Sequence, residues 1–340
     1  MSDNDPSLPS ALTALGWSGF FDAQWGAQER ALVPLRIATV HRARMSAIGT
    51  SGAVEPTLPP GLKTPQFAVG DWVLAEPDGA LITRRLERHA LLQRKTDGSD
   101  RPQLIAANVD TLFIVTSCNE DFNTARLERY VALANEAGTQ PVIVLTKADK
   151  IDDAAPYETQ ARAVQRDLAV VSLNAKATRA ADVLAQWCGV GKTVALVGSS
   201  GVGKSTLSNT LTQSRAQATG SIREDDAKGR HTTTSRALHP MAGGGWVIDT
   251  PGIRTLHISA LTGGLETLFA EITELAPTCR FRDCTHAHEP GCAVQAAVAA
   301  GAIEVGRLER WRKLTQENDA NTPQRTGPRG NKTPARGKRR

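Results

Sequence analysis

From residue 109 to about residue 249 the chain alternates between short, continuous apolar runs and stretches whose apolar residues recur every three or four positions. Continuous runs of this kind suit strands buried on both faces, and their alternation with helical stretches predicts a parallel sheet covered by helices. The predicted strands are 111–116, 141–146, 169–173, 193–197 and 245–248. Residues 123–137 predict a helix capped by Asn123, 178–188 a second helix and 204–211 a third.

The pattern is different on either side. Between residues 34 and 106, β-like runs at 35–40, 67–74 and 80–83 are separated by turn-rich segments such as Gly49-Thr50-Ser51-Gly52 and Pro59-Pro60-Gly61. This predicts a small antiparallel barrel. In the preceding extension, Leu12, Leu15, Trp17, Phe20 and Phe21 fit one short amphipathic helix. After Gly252 no strand is predicted, and 261–275, 292–300 and 304–316 read as helices around a cysteine cluster. The expected division is an extension (1–33), a barrel (34–106), an α/β unit (107–257), a helical unit (258–320) and a tail (321–340). With 340 residues there is room for several separate cores.

Charge changes this picture at one end. The formal charge is +5, but residues 321–340 carry Arg325, Arg329, Lys332, Arg336, Lys338, Arg339 and Arg340 with no acid, which leaves −2 for the rest. A basic tail rich in proline and glycine buries too little surface to fold alone, so it is expected to be disordered and to suit a polyanion. No run approaches the ~20 apolar residues needed to cross a bilayer. The acidic start lacks a basic segment followed by an apolar one, so a cytoplasmic protein is expected.

Candidate chemistry begins with Gly198-Ser199-Ser200-Gly201-Val202-Gly203-Lys204-Ser205, which follows an apolar run and opens a helical stretch. That is the setting of a phosphate loop, in which backbone N–H groups from Gly198 to Thr206 surround a phosphate. Lys204 would reach the β and γ phosphates and the Ser205 hydroxyl would hold Mg²⁺. Downstream, Asp249 of Asp249-Thr250-Pro251-Gly252 supplies a carboxylate near Mg²⁺, and Gly252 an N–H for the γ phosphate. Between them, a polar loop would bring one of Thr232, Thr233 and Thr234 to Mg²⁺.

Upstream, Thr146-Lys147-Ala148-Asp149 follows a strand and reads a purine base. The Asp149 carboxylate accepts from the N1–H and exocyclic amine of guanine, a donor pair that adenine lacks in that arrangement. Ser172-Leu173-Asn174 is placed to offer a backbone N–H to guanine O6. In a Ras-like GTPase the phosphate loop leads, DxxG follows and [NT]KxD closes the series. Here the base-reading segment comes first, as in a circular permutation, which folds tolerate when the joined ends lie close together.

Cys279-x4-Cys284-x-His286-x5-Cys292 offers three thiols and an imidazole, a set that favours one tetrahedral structural Zn²⁺, with His288 as an alternative nitrogen ligand. Arg84, Arg85, Arg88, Arg94 and Lys95 make a basic stretch at the end of the barrel region, which contains only Phe67 and Trp72 as aromatics. Recognition of structured RNA by shape and charge suits it better than base stacking. In the last helix Arg307, Arg310 and Lys313 are expected to form an outward basic stripe, with Val305, Leu308, Trp311 and Leu314 packed inward.

This motif order resembles the RsgA (YjeQ) family of ribosome-small-subunit-dependent GTPases over residues 34–316. The resemblance also rests on Gln103-x3-Ala107-Asn108-Val109-Asp110, Arg126-x2-Arg129-Tyr130 and Gly229-Arg230-His231-Thr232-Thr233-Thr234. It implies a multidomain protein with an N-terminal β-barrel (OB-fold), a central α/β circularly permuted P-loop GTPase and a C-terminal α-helical zinc-binding domain, and it favours His286 over His288. It further implies a cytoplasmic monomer that binds the 30S subunit and 16S rRNA and assists late subunit maturation, with hydrolysis of GTP to GDP stimulated by the subunit. Ile253 stands where Ras-type enzymes carry a water-orienting glutamine, so unassisted hydrolysis should be slow. The family's proposed catalytic histidine falls on His231. Ile253 also supports an alternative, a regulatory RNA-binding protein that binds GTP with negligible hydrolysis. A P-loop kinase is disfavoured by Asp149 and the DxxG segment.

Overall fold

The computed structural model describes residues 10–94, 102–177, 179–216, 236–249 and 259–322, together with 325–326 and 331–332. In the extension, α1 (Ser10–Ala14) and α2 (Gly19–Asp22) replace the single helix expected there. Gly16 breaks it: its φ is +92°, and a Cβ would lie 2.8 Å from both Arg36 Nη1 and Gly191 O. Trp17 and Phe21 turn inward and Phe20 stays exposed, so the extension covers Trp72, Leu74 and Leu86 of the barrel. Trp17 meets Trp72 edge to face with centroids 4.8 Å apart.

The barrel region contains β1 (Val33–Val40), β2 (Met45–Gly49), β3 (Gly52–Val54), β4 (Trp72–Ala75) and β5 (Ile82–Arg85), with β6 (Leu91–Arg94) and β7 (Gln103–Ala107) paired to each other as a separate two-stranded sheet. Within the barrel region strand β1 pairs β4 through residues 33–36 and β2 through 36–40. The predicted Gly49–Gly52 turn is the hairpin joining β2 to β3. Leu35, Ile37, Met45, Ala47, Phe67, Val73 and Ile82 fill the interior.

Next come β8 (Thr111–Ser117), α3 (Thr124–Glu136), β9 (Gln140–Thr146), α4 (Ala155–Arg162) and β10 (Ala169–Ser172). They are followed by α5 (Ala180–Val183), β11 (Thr193–Val197), α6 (Lys204–Ala216), β12 (Ala237–Pro240) and β13 (Trp246–Asp249). The expected helix over 178–188 is reduced to α5 and a 3₁₀ turn at Ala185–Trp187. The strand order here is β10-β9-β8-β11-β13-β12, parallel except for β12, a strand not anticipated from the sequence that lies between β13 and β1. Asn123 caps α3 as expected, its Oδ1 accepting from Arg126 N at 2.9 Å.

Barrel and α/β unit share one sheet, because Thr39 of β1 pairs with Ala237 of β12. Polar groups fix the seam. The Arg36 guanidinium is buried, donating to Leu15 O at 2.5 Å and to Thr193 Oγ1 at 2.6 Å, and burial pushes its pKa down to about 10 despite nearby Asp110. Thr193 opens the strand that leads to the phosphate loop, and its N–H donates to Asp110 Oδ2 at 2.7 Å. Asn108, buried in a left-handed conformation, donates to Gly70 O and accepts from His89 N.

The C-terminal unit comprises α7 (Thr262–Leu268), α8 (Ala270–Thr273), α9 (Ala293–Ala299) and α10 (Val305–Asn321). It packs on α3, with Leu265, Leu268 and Phe269 in the same apolar cluster as Leu127 and Val131. Within the tail expected to be disordered, Arg325–Thr326 pairs with Asn331–Lys332 in a two-residue antiparallel ladder. The rest of the tail lies outside the described residues.

Arg36→Met should destabilise the fold by about 2–4 kcal/mol, because it leaves Leu15 O and Thr193 Oγ1 without their donor at a buried seam. The urea midpoint of unfolding reads this directly, and an unchanged midpoint would show that Arg36 does not hold the seam.

Candidate nucleotide site and metal centre

The phosphate-loop segment, residues 198–205, joins the carboxyl end of β11 to the first turn of α6. Gly198 has φ +141°, and a Cβ there would lie 2.1 Å from Val115 O, so only glycine lets the loop pass this close to β8. Val202 is buried and points into the core, which anchors the loop. Lys204 folds over the loop, its Nζ donating to Gly198 O at 2.9 Å and to Ser199 O. A cation is thereby held at the mouth of a ring of backbone amides at a helix N-terminus, an arrangement that attracts an anion.

The segment expected to read the base, residues 146–149, meets this loop although 48 residues or more separate them in the chain. Thr146, buried at the end of β9, hydrogen-bonds through its hydroxyl to Val202 O at 2.5 Å and Thr116 O at 3.1 Å. Lys147 has φ +58° and turns the chain into a 3₁₀ turn at Ala148–Lys150 that carries Asp149. Beside it, Ser172 closes β10 and its hydroxyl donates to Glu158 Oε1 at 2.5 Å. That bond, with Arg162, holds the Glu158 carboxyl below the usual carboxylate range. Leu173 N donates to Leu145 O, and Asn174 Oδ1 accepts from Lys176 N, so this loop is pinned on both sides. Asp249 ends β13 next to β11. Gly252, His231, Thr232, Thr233 and Thr234 lie outside the described residues.

The metal ligand atoms of Cys279, Cys284, His286 and Cys292 all lie within 4.8 Å of one another. Cys279 Sγ is 3.8 Å from Cys292 Sγ, and His286 Nδ1 is 3.5 and 3.4 Å from those two sulfurs. A tetrahedral Zn²⁺ with Zn–S of about 2.3 Å and Zn–N of about 2.05 Å requires edges of about 3.8 and 3.6 Å, so the donor set fits. His286 is buried against Trp311, whereas His288 is exposed and stands outside the cluster. The loop between the ligands is tied by Glu289, which accepts from Thr285 N, Ala287 N and His288 N.

The family description RsgA GTPase matches residues 85–259. A protein of Mesorhizobium japonicum named small ribosomal subunit biogenesis GTPase RsgA is 63% identical over 98% of this chain and 97% of its own length. The chain belongs to the RsgA GTPase family. YjeQ from Thermotoga maritima superposes with a TM-score of 0.62 at 27% identity, covering 84% of this chain and 98% of its own. YloQ, described as a circularly permuted GTPase, gives a TM-score of 0.60 at 24% identity, covering 88% of this chain and 99% of its own, and shares the fold.

In this RsgA-family chain several motif residues turn out to be joints between units. Asn108 and Asp110 build the barrel seam described above. Arg126 Nη1 donates to Ser199 Oγ in the phosphate loop. Arg129 pairs with Glu317 of α10 through two contacts of 2.6 Å. Neither apolar periodicity nor local spacing reveals such partners, since they lie 73 and 188 residues away.

The basic surface is narrower than expected. Arg84 pairs with Glu29 and Arg88 with the fully buried Asp71, both in two-contact geometry, and Arg85 is half-buried. Arg307 is corrected outright: it is buried, bonded to Glu128 and Glu271 and stacked over Phe269, and Arg310 also reaches Glu128. The inward face of α10 is therefore Arg307, Leu308, Trp311, Leu314 and Asn318, while Val305 is 62% exposed and Lys313 stays in solvent. Arg94 bonds Gln103 at the barrel surface, and Lys95 lies outside the described residues.

Thr146→Val should lower stability by about 1–2 kcal/mol by removing the hydroxyl that meets Val202 O and Thr116 O, while Thr146→Ser should retain most of it. Denaturant midpoints of the two variants, measured side by side, check this; equal losses would assign the effect to packing.

Proposed function

We propose that the protein hydrolyses GTP to GDP and phosphate and uses the cycle to assist late maturation of the small ribosomal subunit. The observation that carries this reading is the 63% identity, over nearly the full length of both chains, to a protein named for small-subunit biogenesis. The site agrees chemically, since a phosphate loop with Lys204 at its mouth abuts a loop carrying Asp149. Asp149 and Lys147 select guanine, with a backbone N–H from Asn174 or its neighbour directed at O6. Ser205, Asp249 and one threonine of 232–234 hold Mg²⁺, which supplies positive charge where phosphoryl oxygens gain charge. His231 helps to orient the attacking water in place of the glutamine that Ile253 displaces.

Cys279, Cys284, His286 and Cys292 hold one structural Zn²⁺. The 16S rRNA is met by the accessible part of the basic set, namely Arg85, Arg94 and Lys313, together with Lys95 and the basic tail. The protein acts as a monomer in the cytoplasm; among the described residues no helix is long and apolar enough to cross a membrane. The division into extension, barrel, GTPase, helical unit and tail follows the boundaries read from the sequence.

GTP turnover measured alone, with purified 30S subunits and with 50S subunits tests the reading. Turnover should be slow alone, rise by at least about tenfold with 30S subunits and stay unchanged with 50S. Binding of GTP with no turnover under any condition would favour the regulatory RNA-binding protein instead.

Metal analysis should find one zinc per chain, and Cys292→Ser should lose it. Because the loop from 279 to 292 has little core of its own, zinc loss should also remove helical signal from the C-terminal unit. Folded protein of full helicity without zinc would refute the assignment.

A further inference from the structure

Helix α3 touches the phosphate loop at one position and the C-terminal helix α10 at the next turn of the same surface. Arg126, in its first turn, donates to Ser199 Oγ, the second residue of the phosphate loop. Glu128, with no exposed surface, accepts from Arg307 Nη1 and Arg310 Nε through one oxygen, each at 2.8 Å. Arg129 forks onto Glu317. The far side is equally fixed, because Arg307 also binds Glu271 Oε1 at 2.8 Å and Leu268 O at 2.6 Å.

We propose that Arg126 is a positioning residue for the phosphate loop, and that α10 sets its place through the clamps on Glu128 and Arg129. Ser199 is held between two cations, since its carbonyl accepts from Lys204 and its hydroxyl from Arg126. Moving Arg126 therefore moves the start of the amide ring that receives the phosphates. The Arg126 guanidinium also adds a fixed positive charge beside an anion site, so its loss weakens GDP and GTP alike. Energetic coupling of this kind is reciprocal: whatever shifts α10 changes nucleotide affinity, and nucleotide binding changes the affinity of any partner of α10. The route bypasses Asp249 and Gly252.

The inference rests on residues 198–205 being the phosphate loop, and the test separates the two. Binding of N-methylanthraniloyl-GDP to the full-length, zinc-loaded protein is measured for six chains: the parent, Lys204→Ala, Arg126→Ala, Arg126→Lys, Glu317→Gln and the double variant Arg126→Ala/Glu317→Gln. Lys204→Ala should abolish binding; if it does not, the phosphate-loop reading fails. Arg126→Ala should weaken binding by about tenfold with an unchanged thermal midpoint, because a charged hydrogen bond is lost. Arg126→Lys should recover part of this, keeping the charge without the fork. Glu317→Gln should weaken binding by about threefold, and the double variant should bind no worse than Arg126→Ala, since two groups acting in series are not additive.

Affinity within about twofold of the parent for Arg126→Ala, with Lys204→Ala dead, overturns the proposal. So does a Glu317→Gln loss that adds in full to that of Arg126→Ala. If Arg126→Ala does not fold, Ser199→Ala, which removes only the acceptor, replaces it in every arm.

Discussion

The candidate nucleotide site depends on β8 lying between β9 and β11 and pairing with both in parallel. Parallel pairing puts the carboxyl ends of β9, β10, β11 and β13 on one edge of the sheet, where open α/β sheets bind their ligands. The position of each loop is then set by strand order in space. The order of motifs along the chain becomes irrelevant to the geometry, and so a base-reading loop that precedes the phosphate loop can still touch it. Thr146 is the point of contact, with one hydroxyl between a carbonyl of the central strand and a carbonyl of the phosphate loop.

Units flanking the GTPase strands are also held by buried charge. Arg36 joins the barrel to the extension and to the strand that leads into the phosphate loop. Glu128 joins the GTPase to the C-terminal helices through Arg307 and Arg310. Desolvating such groups costs several kcal/mol per ion, so their net stabilisation is small even with good geometry. Their effect lies in specificity: any displacement that leaves one partner buried alone is heavily penalised, whereas an apolar interface tolerates sliding. The relative placement of barrel, GTPase and helical unit is thus defined by a few directional contacts.

What was legible in the sequence follows the same division. Strands β8, β9, β10, β11 and β13 fall within one or two residues of their predicted limits, because burial on both faces leaves unbroken apolar runs. The cap at Asn123 and the Cys₃His cluster are local, and local chemistry is readable. Strands β6, β7 and β12 are only four or five residues long, too short to leave such a trace. Trp17 signalled burial, but only the fold shows that it covers Trp72. The error on α10 has a clear cause. Its buried residues are Arg307, Leu308, Leu314 and Asn318, so two of the four are polar and an apolar count tilts the helix toward Val305.

The corrected face of α10 changes how a nucleotide signal would travel. The motif order sets Asp249-Thr250-Pro251-Gly252, expected near the γ phosphate, directly ahead of the C-terminal unit, which would make it a covalent lever on that unit. The unit is not free: α3 grips it through Glu128 and Arg129, and Gly264 N donates to Glu136 Oε2 farther along the same helix. A pull from Asp249 must therefore act against buried ion pairs that have no intermediate position. Small displacements are resisted, and a sufficient one shifts α3 together with the unit it holds. Since Arg126 in the first turn of α3 bonds Ser199, the C-terminal unit would connect to the proposed nucleotide site from two directions. Covalent continuity supplies one and the helix supplies the other.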